Sequence, residues 1–496
     1  MQKKAKLYYE EKKKKLPDYQ QRNVTESILD INEIKNIHLT GICGTAMGSL
    51  AKLFRDANYE VTGSDKTCYP PMDQIIANLG INISSDFNEQ NLNKKDLIII
   101  ANMFGPDNIE AKYSRENNLP ELSMPEAIRQ FFINSKESIV IAGTHGKTTT
   151  TGIMVHVFKE GETNPSYLIG GVLKDSKDSA FYNKESKHFI IEGDEYDTSY
   201  FDKSPKFLHY MPKTAIITSV ELDHIDIYND IEDYRNAFKF LIDEVADDGH
   251  IFICGEDSGA NSLKEEYIDN EKILQYGFSE NFDLYAKDIN IKDDYQEFKV
   301  FFKGKDYGIF LTPLFGKYNI LNCLAVIGTS LTYGLEIESI KKGIYSFSGM
   351  KRRQEVFADK NGIILIDDFA HHPTAVEKTL NGIKDKYSGH RIIAVFEPRS
   401  NSSRSKIFEE EYKKSFSSAD IVIISTPKHK EGYIPDDLMD TTKVVDEISK
   451  TKQAFCVNGA DEAVKILKGT IKEKDIVVVM SNGSFDGIHE KISNII

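Results

Sequence analysis

The residues whose types and spacing most clearly indicate a chemical role lie in segment 138–158, SIVIAGTHGKTTTTGIMVHVF, where an apolar run ends in a glycine turn. A strand, a tight turn and a helix N-terminus aim several backbone N–H groups and the positive end of the helix dipole at one point, which suits a phosphate. Lys147 is expected to neutralise the β- and γ-phosphates, and the Thr148 hydroxyl to ligate a phosphate-bound Mg²⁺. Where the usual phosphate-binding loop has a glycine five residues before Gly146, this chain has Ile141, so the motif is the shorter GTxGKT form. A chance match in a loop is the alternative.

Acidic and imidazole side chains follow two further apolar runs. HFIIEGDEYD places Glu192 after one run, and TSVELDHID places Asp223 and His224 after another. Mg²⁺ favours hard oxygen ligands, and open α/β sheets bind ligands at the carboxyl ends of their strands. Although any single carboxylate at a strand end could be a solvated cap, three such groups at three strand ends favour a metal site formed with Thr148.

A weaker nucleotide signal opens the chain's first periodic segment, NIHLTGICGTAMGSLAKLF, which carries Gly41, Gly44 and Gly48. This GxxGxxxG spacing is not the GxGxxG dinucleotide fingerprint, although Asp65 lies about 20 residues on, where a ribose partner would sit. The pattern indicates a phosphate or nucleotide at a helix N-terminus without saying which one. The alternative is that the glycines only allow a helix to pack closely on a strand.

Two asparagines lie three residues apart on a predicted helix, in LFGKYNILNCLAVIG. The side chains of Asn319 and Asn322 therefore face the same way, and paired amides can read a purine edge. Solvated or capping asparagines are an equally good interpretation.

The C-terminal third contains candidate anion-binding arginines. Arg353 precedes an apolar run and Arg399 follows another, and the guanidinium group suits bidentate capture of carboxylate or phosphate. The adjacent His371 and His372 are not expected to bind zinc, because neighbouring side chains in a turn diverge.

The elements that position these residues are short apolar runs alternating with helical segments, which predicts an α/β fold with parallel sheets packed on both faces. The alternation restarts near residue 138 and again after the basic loop SGMKRRQE. We therefore expect a polar, frayed extension over 1–34, followed by domains over 35–135, 136–345 and 346–496.

Composition limits the classes of partner. The 496 residues allow about three domains, and 62 basic against 77 acidic residues give a net charge of −15, which argues against binding nucleic acid or anionic lipid by broad charge attraction. No apolar run approaches the ~18 residues of a membrane span and the N-terminus lacks a signal core, so we expect a cytoplasmic protein. The five scattered cysteines form no CxxC pair, so neither a disulfide nor a zinc site is expected.

Taken together, these motifs resemble the Mur ligase family, the ATP-dependent amide-forming ligases of peptidoglycan synthesis, over about residues 36–496. GTHGKTTTT, with histidine in the loop, is similar to the branch specific for UDP-N-acetylmuramate. GICGTAMG, GSDKTCYPPM, EGDEYDTSYFDKSPKFLHY, DDFAHHPTA and FEPRSNSSR resemble the part of that branch that attaches the recycled tripeptide L-Ala-γ-D-Glu-meso-diaminopimelate. The part that adds L-alanine typically shows FQPHRYTR in place of the last string.

The resemblance implies a Rossmann-like N-terminal domain, a P-loop-type central ATPase domain and a Rossmann-like C-terminal domain, with ATP and Mg²⁺ required. It implies a UDP site at Gly41, Gly44, Thr45 and Asp65. It implies an ATP site at Gly143, Thr144, His145, Gly146, Lys147, Thr148, Thr149, Asn319, Asn322, Arg353 and Asp368. It implies Mg²⁺ ligation by Thr148, Glu192 and His224, catalysis by Lys147, Glu192 and His224, and peptide contacts from His371, Arg399, Ser400 and Asn401.

The implied reaction begins with attack of the lactyl carboxylate of UDP-N-acetylmuramate on the γ-phosphoryl group of ATP. The free amine of the peptide's L-Ala then displaces phosphate from the acyl phosphate. Three alternatives stay open: a ligase that adds L-alanine alone, a folylpolyglutamate-type ligase, which lacks the histidine loop, and a nucleotide-binding regulatory module without turnover. The sequence leaves open the oligomeric state and the third residue of the peptide.

Overall fold

The computed structural model describes residues 8–9, 29–68, 72–428 and 437–496. Most of the predicted polar extension over 1–34 therefore lies outside the described residues. Within it, the rings of Tyr8 and Tyr9 pack on Phe240, with centroids 5.3 and 5.8 Å away, and Tyr9 is buried.

The first sheet is built from the segment that follows the extension. Its strands are β1 (Asn36–Thr40), β2 (Glu60–Ser64), β3 (Asn82–Ser84), β4 (Leu97–Ile100) and β5 (Glu121–Leu122). Its helices are α1 (Thr45–Asp56), α2 (Met72–Asn78), α3 (Ile109–Glu116) and α4 (Met124–Ile128), with a 3₁₀ turn at Glu89–Leu92 and a π turn at Arg129–Ile133. All strand pairs are parallel in the order β3-β2-β1-β4-β5, which is the Rossmann order 3-2-1-4-5-6 without its sixth strand.

The second sheet is the largest. Its strands are β6 (Glu137–Ala142), β7 (Ser166–Leu168), β8 (Ala180–Phe181), β9 (His188–Gly193), β10 (Pro212–Ile217), β11 (His250–Cys254), β12 (Ile273–Gly277), β13 (Leu284–Ile291), β14 (Gln296–Phe302) and β15 (Lys305–Thr312). Its helices are α5 (Lys147–Glu160), α6 (Ile231–Glu244), α7 (Ser258–Glu266), α8 (Lys317–Thr332) and α9 (Ile337–Ser346), with a 3₁₀ turn at Lys206–His209. The strand order is β15-β14-β13-β12-β11-β10-β6-β9-β7-β8. The β13–β15 pairs and the β7–β8 pair are antiparallel, an addition that the sequence analysis did not predict.

The third sheet follows the basic loop. Its strands are β16 (Glu355–Lys360), β17 (Ile363–Asp368), β18 (Arg391–Phe396), β19 (Ile421–Ser425), β20 (Gln453–Val457) and β21 (Asp475–Met480). Its helices are α10 (Pro373–Lys386), α11 (Asn401–Arg404), α12 (Glu409–Ser415), α13 (Thr441–Ser449), α14 (Ala460–Thr470) and α15 (Ile488–Ser493), with 3₁₀ turns at Lys406–Phe408 and Phe485–Gly487. The order is β16-β17-β21-β18-β19-β20, and only the edge strand β16 is antiparallel.

The central strands are apolar because both of their faces are covered. Residues 139–142 of β6 are fully buried, as are Phe189, Ile190 and Ile191 of β9. A parallel sheet with helices on both sides requires such continuous apolar runs. The predicted α/β class is therefore confirmed. Since β6 lies between β9 and β10, the loops that leave their carboxyl ends converge at one edge of the second sheet.

Two cysteines form a disulfide, contrary to the expectation of none. Cys43 and Cys68 are bonded, with Cα atoms 5.1 Å apart across 25 residues of sequence. They follow the adjacent parallel strands β1 and β2, so the sheet brings together two residues whose spacing carries no disulfide signal. In the described part of the chain, no helix is both long enough and apolar enough to span a membrane.

Candidate active site

The turn after β6 is shaped by two glycines in the left-handed region. Gly143 has φ +131°, and a Cβ there would lie 2.2 Å from Oγ1 of Thr218. Gly146 has φ +84°, and a Cβ there would lie 2.8 Å from Oδ1 of Asn322. Helix α5 begins directly afterwards at Lys147. The turn thus presents the open N–H groups of a helix N-terminus to the adjoining cavity, as a phosphate site requires.

Lys147 forms a buried ion pair with Glu195. Its Nζ lies 2.9 and 2.8 Å from the two carboxylate oxygens, and Glu195 has no exposed surface. Burial acts to lower the pKa of Lys147, but the charges of Glu195 and Asp194 outweigh it and the pKa is raised. Lys147 is therefore a fixed cation at the start of α5, held by a carboxylate that the sequence analysis did not single out.

Glu192 lies on the other side of the turn. Its Oε1 accepts from the Thr148 hydroxyl at 3.1 Å and its Oε2 from the Gly170 N–H at 2.8 Å. Arg353 belongs to the part of the chain that forms the third sheet, called the third unit below, as the first and second units are those of the other two sheets. It donates to the same Thr148 hydroxyl at 3.3 Å. Burial raises the pKa of Glu192 above its ordinary value. A hydroxyl and a carboxylate at this distance fit a Mg²⁺ ion next to a phosphate.

His224 is placed with Glu195 rather than with Glu192. Its Nε2 lies 3.2 Å from Glu195 Oε1, and its backbone adopts a left-handed φ of +51°. Burial acts to lower its pKa, but Asp223 and Glu195 raise the pKa to about 9. Together with Asp194, these side chains form an Asp–Glu–His cluster with donor atoms within 4.8 Å of one another. The expected metal ligands thus divide into two groups, Thr148 with Glu192 and His224 with Glu195.

A cavity of about 240 Å³ extends from this turn between the second and third sheets. The expected ATP residues Thr144, His145, Gly146, Lys147, Thr148, Thr149, Asn319, Asn322, Arg353 and Asp368 all line it, and Gly143 is the one that does not. The amide of Asn322 donates to Oδ1 of Asn319 at 3.2 Å, and that of Asn319 donates to the Phe315 carbonyl at 2.8 Å. The two amides therefore face the same side of α8, as their spacing predicts.

Asp368 shapes the cavity from the third sheet. Its two carboxylate oxygens accept from the backbone N–H groups of Gln354 and Ala370, both at 2.8 Å. Burial raises its pKa. Asp368 therefore fixes the loop that carries Arg353, whose guanidinium lies 5.0 Å from the ring centroid of Phe369.

A second cavity, of about 320 Å³, adjoins the first. The expected peptide residues His371, Arg399, Ser400 and Asn401 all line it. It also contains Tyr196, Asp226, Ser402 and Asn482, which the sequence analysis missed. Asp223, His224 and His371 line both cavities, so they mark the place where the two meet.

Arg399 is held beside a glycine. A Cβ on Gly483 would lie 1.6 Å from Nη1 of Arg399, so the guanidinium occupies space that any larger residue would fill. The string MSNGSF, which begins at the last residue of β21, is the sequence feature that places this glycine. No spacing rule links it to Arg399, 84 residues earlier.

The loop histidine contacts the third unit. His145 Nε2 lies 3.1 Å from Glu221 Oε2, and His372 Nδ1 lies 3.7 Å from the same atom. His372 also accepts from the Thr374 N–H at 3.3 Å as the N-cap of α10. The Nδ1 lone pair of His372 is therefore already used by the helix.

The expected UDP residues form a loop at the first sheet. Gly41 has φ +82°, and the Asp65 carboxylate accepts from the Cys43 N–H at 3.0 Å while α1 begins at Thr45. Gly44 lies directly before α1. A cavity of about 440 Å³ adjoins this loop, but it is lined by Lys66, Asp86, Phe87, Met103, Phe104, Gly105, Asn108 and Ile109 rather than by these four residues. The ring centroids of Phe87 and Phe104 lie 4.8 Å apart, and no motif in the sequence indicated that these two residues would line a cavity.

Comparison with known proteins covers the whole of this arrangement. Residues 36–136 match the model described as Mur ligase family, catalytic domain, residues 141–330 the Mur ligase middle domain, and residues 352–483 the Mur ligase, glutamate ligase domain.

The matches to individual relatives extend over nearly the full length of each relative. The UDP-N-acetylmuramate–L-alanyl-γ-D-glutamyl-meso-2,6-diaminoheptandioate ligase of Haemophilus influenzae is 33% identical over 92% of this chain and 98% of its own. The UDP-N-acetylmuramate–L-alanine ligase of Sulfurihydrogenibium sp. is 30% identical over 93% and 98%. The crystal structure of a murein peptide ligase from Psychrobacter arcticus superposes with a TM-score of 0.69 at 29% identity, over 93% of this chain and 98% of that one.

Proposed function

The chain belongs to the Mur ligase family of ATP-dependent, ADP-forming ligases, and from this premise we propose that it joins UDP-N-acetylmuramate to the tripeptide L-alanyl-γ-D-glutamyl-meso-diaminopimelate. The reaction serves peptidoglycan recycling. The tripeptide ligases of Haemophilus influenzae and Escherichia coli are 33% and 34% identical over 92% of this chain, whereas L-alanine ligases that match over 91–93% of it are 30–31% identical, which supports the tripeptide over L-alanine alone.

One observation carries the proposal: the first cavity, next to the glycine turn after β6, and the second cavity, lined by Arg399, meet at Asp223, His224 and His371. A ligase that works through an acyl phosphate needs its phosphoryl donor and its amine on opposite sides of one carbonyl carbon. Two cavities that share three side chains provide that arrangement. A regulatory module that only bound a nucleotide would not need the second cavity.

In the first step, the lactyl carboxylate of UDP-N-acetylmuramate attacks the γ-phosphorus of ATP, and ADP leaves. Lys147 neutralises charge on the phosphates, and the N–H groups at the start of α5 hold them. Arg353 approaches from the third unit and binds the same phosphoryl group. Because two anions must meet, this fixed positive charge is the main contribution of the chain to the step.

Mg²⁺ fits this site, where Thr148 and Glu192 would hold one ion and Glu195 with His224 a second. Because the pKa of His224 is about 9, this residue would release its proton on binding the ion directly, or would reach the ion through water. The bound ions supply charge neutralisation at the phosphate oxygens. Glu192 orients the Thr148 hydroxyl at 3.1 Å, and Glu195 orients the His224 ring at 3.2 Å. The two carboxylates thus preorganise their partners for cation binding.

In the second step, the peptide amine attacks the acyl phosphate from the second cavity. Arg399, Ser400 and Asn401 are proposed to bind the peptide, with Arg399 on a carboxylate. Closure of the third unit over the second also excludes water from the acyl phosphate, which would otherwise hydrolyse.

Each of the three domains is proposed to bind one substrate. We propose that residues 35–135 bind UDP through Gly41, Gly44, Thr45 and Asp65, that residues 136–345 bind ATP, and that residues 346–496 bind the peptide. Since ATP and UDP-linked sugars are cytoplasmic metabolites, we also propose that the protein acts in the cytoplasm.

The test is a ligation assay in which the purified protein receives ATP, Mg²⁺ and UDP-N-acetylmuramate together with either the tripeptide or L-alanine. We expect the muramyl-tripeptide product by mass spectrometry, with one ADP per product, and slow or no reaction with L-alanine. Faster turnover with L-alanine would replace this proposal by the L-alanine-adding ligase. Tripeptides ending in lysine or ornithine, assayed in parallel, define the third residue.

A further inference from the structure

The amide-forming step requires a group that accepts a proton, and His371 is positioned for it. The amine of the tripeptide enters as an ammonium ion at neutral pH, since an α-amino group has a pKa of about 8. An ammonium nitrogen has no lone pair and cannot attack an acyl phosphate. A base must therefore lie between the two cavities, where the amine meets the acyl carbon.

The hydrogen bonds of His371 leave one ring nitrogen available. Its Nδ1 lies 3.0 Å from the backbone oxygen of Phe369. A carbonyl oxygen only accepts, so Nδ1 carries the proton and Nε2 of the neutral ring has the free lone pair. Among the described residues, no hydrogen bond reaches Nε2. Its own backbone oxygen accepts from the Tyr412 hydroxyl, which fixes the residue from the other side.

The surroundings favour a neutral ring that can become charged. His371 lines both cavities, and burial lowers its pKa, so the imidazole is unprotonated when the substrate arrives. The Asp223 carboxylate lies close enough to stabilise the imidazolium that forms. Asp223 is itself held by the Ser402 hydroxyl and by the His224 N–H. This is the arrangement of a base oriented by one partner and supported by a second.

We propose that Nε2 of His371 is the general base of the amide-forming step, an inference that rests on the proposed ligase function. The proton of the ammonium group passes to Nε2, which leaves a free amine. The amine nitrogen then forms a bond to the acyl carbon and the C–O bond to phosphate breaks with its electron pair. The second N–H proton leaves with the phosphate as hydrogen phosphate, and the imidazolium returns its proton to water.

The pH dependence of this step has several contributors. Charged or titratable groups facing His371 from the packed elements are Asp223, Arg353, His145 and His372. The peptide cavity adds Tyr196, His224, Asp226 and Arg399. Because several groups titrate near His371, a pH profile alone does not identify the base. The test therefore also uses an acceptor amine that needs no deprotonation.

The test variant is His371→Asn, because the asparagine amide can keep the bond to the Phe369 oxygen while removing Nε2. The matched control is His390→Asn, since His390 Nδ1 contacts the oxygen of Ser388, also two residues earlier, and lines neither cavity. Each protein is assayed with ATP, Mg²⁺ and UDP-N-acetylmuramate, once with tripeptide and once with hydroxylamine. Hydroxylamine is mostly unprotonated at neutral pH, so it traps the acyl phosphate as a hydroxamate without a base.

We expect kcat for tripeptide ligation by His371→Asn to fall about 100-fold or more at pH 7, and to recover as the pH passes the amine pKa of about 8. Hydroxamate formation should stay near the wild-type rate, which also shows that the variant is folded. Equal loss of both reactions, or a raised KM with unchanged kcat, would overturn the base assignment. Absence of hydroxamate with the wild-type protein would instead contradict the proposed ligase function.

Discussion

Nζ of Lys147 lies 2.8 Å from a carboxylate oxygen of Glu195, which has no exposed surface, and the Lys147 side chain is only 13% exposed. Before a nucleotide binds, the lysine that would hold the phosphates is thus already paired with a buried anion. ATP must compete with that anion, which also contacts His224 and the Tyr234 hydroxyl. The pair keeps a buried cation charged at the cost of some affinity for nucleotide.

Glu195→Gln should therefore bind ATP more tightly when Mg²⁺ is chelated, by about tenfold for a loss of roughly 1.4 kcal/mol of repulsion. The same variant should lose turnover with Mg²⁺, because His224 loses its partner. Calorimetric titration of ATP in EDTA checks the first effect. Glu195→Asp, which keeps the charge, is the control, and weaker ATP binding by Glu195→Gln would show that the carboxylate does not oppose the phosphates.

Lys147→Ala should lower the rate of ADP formation by at least about 100- to 1,000-fold, because it removes the fixed cation at the phosphates. Lys159→Ala, at the other end of α5, removes a lysine that contacts Tyr167 and serves as the control. Release of ADP in the presence of UDP-N-acetylmuramate is the measurement. Retained activity in Lys147→Ala would move the phosphate site elsewhere.

Arg399→Ala should separate the two half-reactions. Acyl phosphate formation, measured as hydroxamate, should persist, whereas KM for the tripeptide should rise at least about tenfold with the loss of a charged hydrogen bond. Gly483→Ala should produce a smaller effect of the same kind, because its methyl group would displace the guanidinium. Equal loss of both half-reactions in Arg399→Ala would contradict a role in peptide binding.

Glu110 should make the first unit sensitive to acid. It is fully buried, and although burial raises its pKa, His38 and the hydroxyls of Ser64 and Thr40 lower it to about 2, from an ordinary 4.5. A lowered carboxyl pKa contributes stability that is complete above pH 4.5 and is lost as the pH falls towards 2. The shift corresponds to about 3 kcal/mol.

Urea unfolding of the wild type and of Glu110→Gln, from pH 7 down to pH 3, measures this contribution. The wild type should be more stable than Glu110→Gln at pH 7. The difference between their free energies of unfolding should narrow below about pH 4.5, because Glu110 is then protonated in the unfolded chain but still charged in the folded protein. Glu60→Gln, which alters an exposed carboxylate of the same sheet, should change little. A difference that stays constant with pH would mean that Glu110 does not titrate with folding.

Local patterns in the sequence predicted the parts of this molecule that depend on neighbouring residues. The strand, glycine turn and helix around Lys147 are contiguous, and the parallel sheets follow from apolar runs alternating with helices. The Asn319 and Asn322 pair follows from helical spacing. Contacts between distant segments carried no such signal, as the Cys43–Cys68 disulfide shows.

Glu195 illustrates the same limit within the site. It is one of four acidic residues of similar appearance in EGDEYD, and the fold buries only Glu195 and leaves the other three partly exposed. The free nitrogen of His371 likewise depends on a backbone oxygen that the turn brings to it. The antiparallel strands β13 to β15 were not predicted, although buried and partly buried residues alternate along β14 as expected for a strand that packs on one face.

The central claim is that the turn at Gly143–Gly146 holds a triphosphate whose terminal group passes to a sugar-borne carboxylate. It is tested most directly with UDP-N-acetylmuramate carrying ¹⁸O in its lactyl carboxylate, turned over with ATP and the tripeptide. Phosphorus NMR of the released phosphate should show one ¹⁸O atom per molecule, because the carboxylate oxygen that attacked phosphorus leaves with it. Unlabelled phosphate, or AMP in place of ADP, would contradict the account.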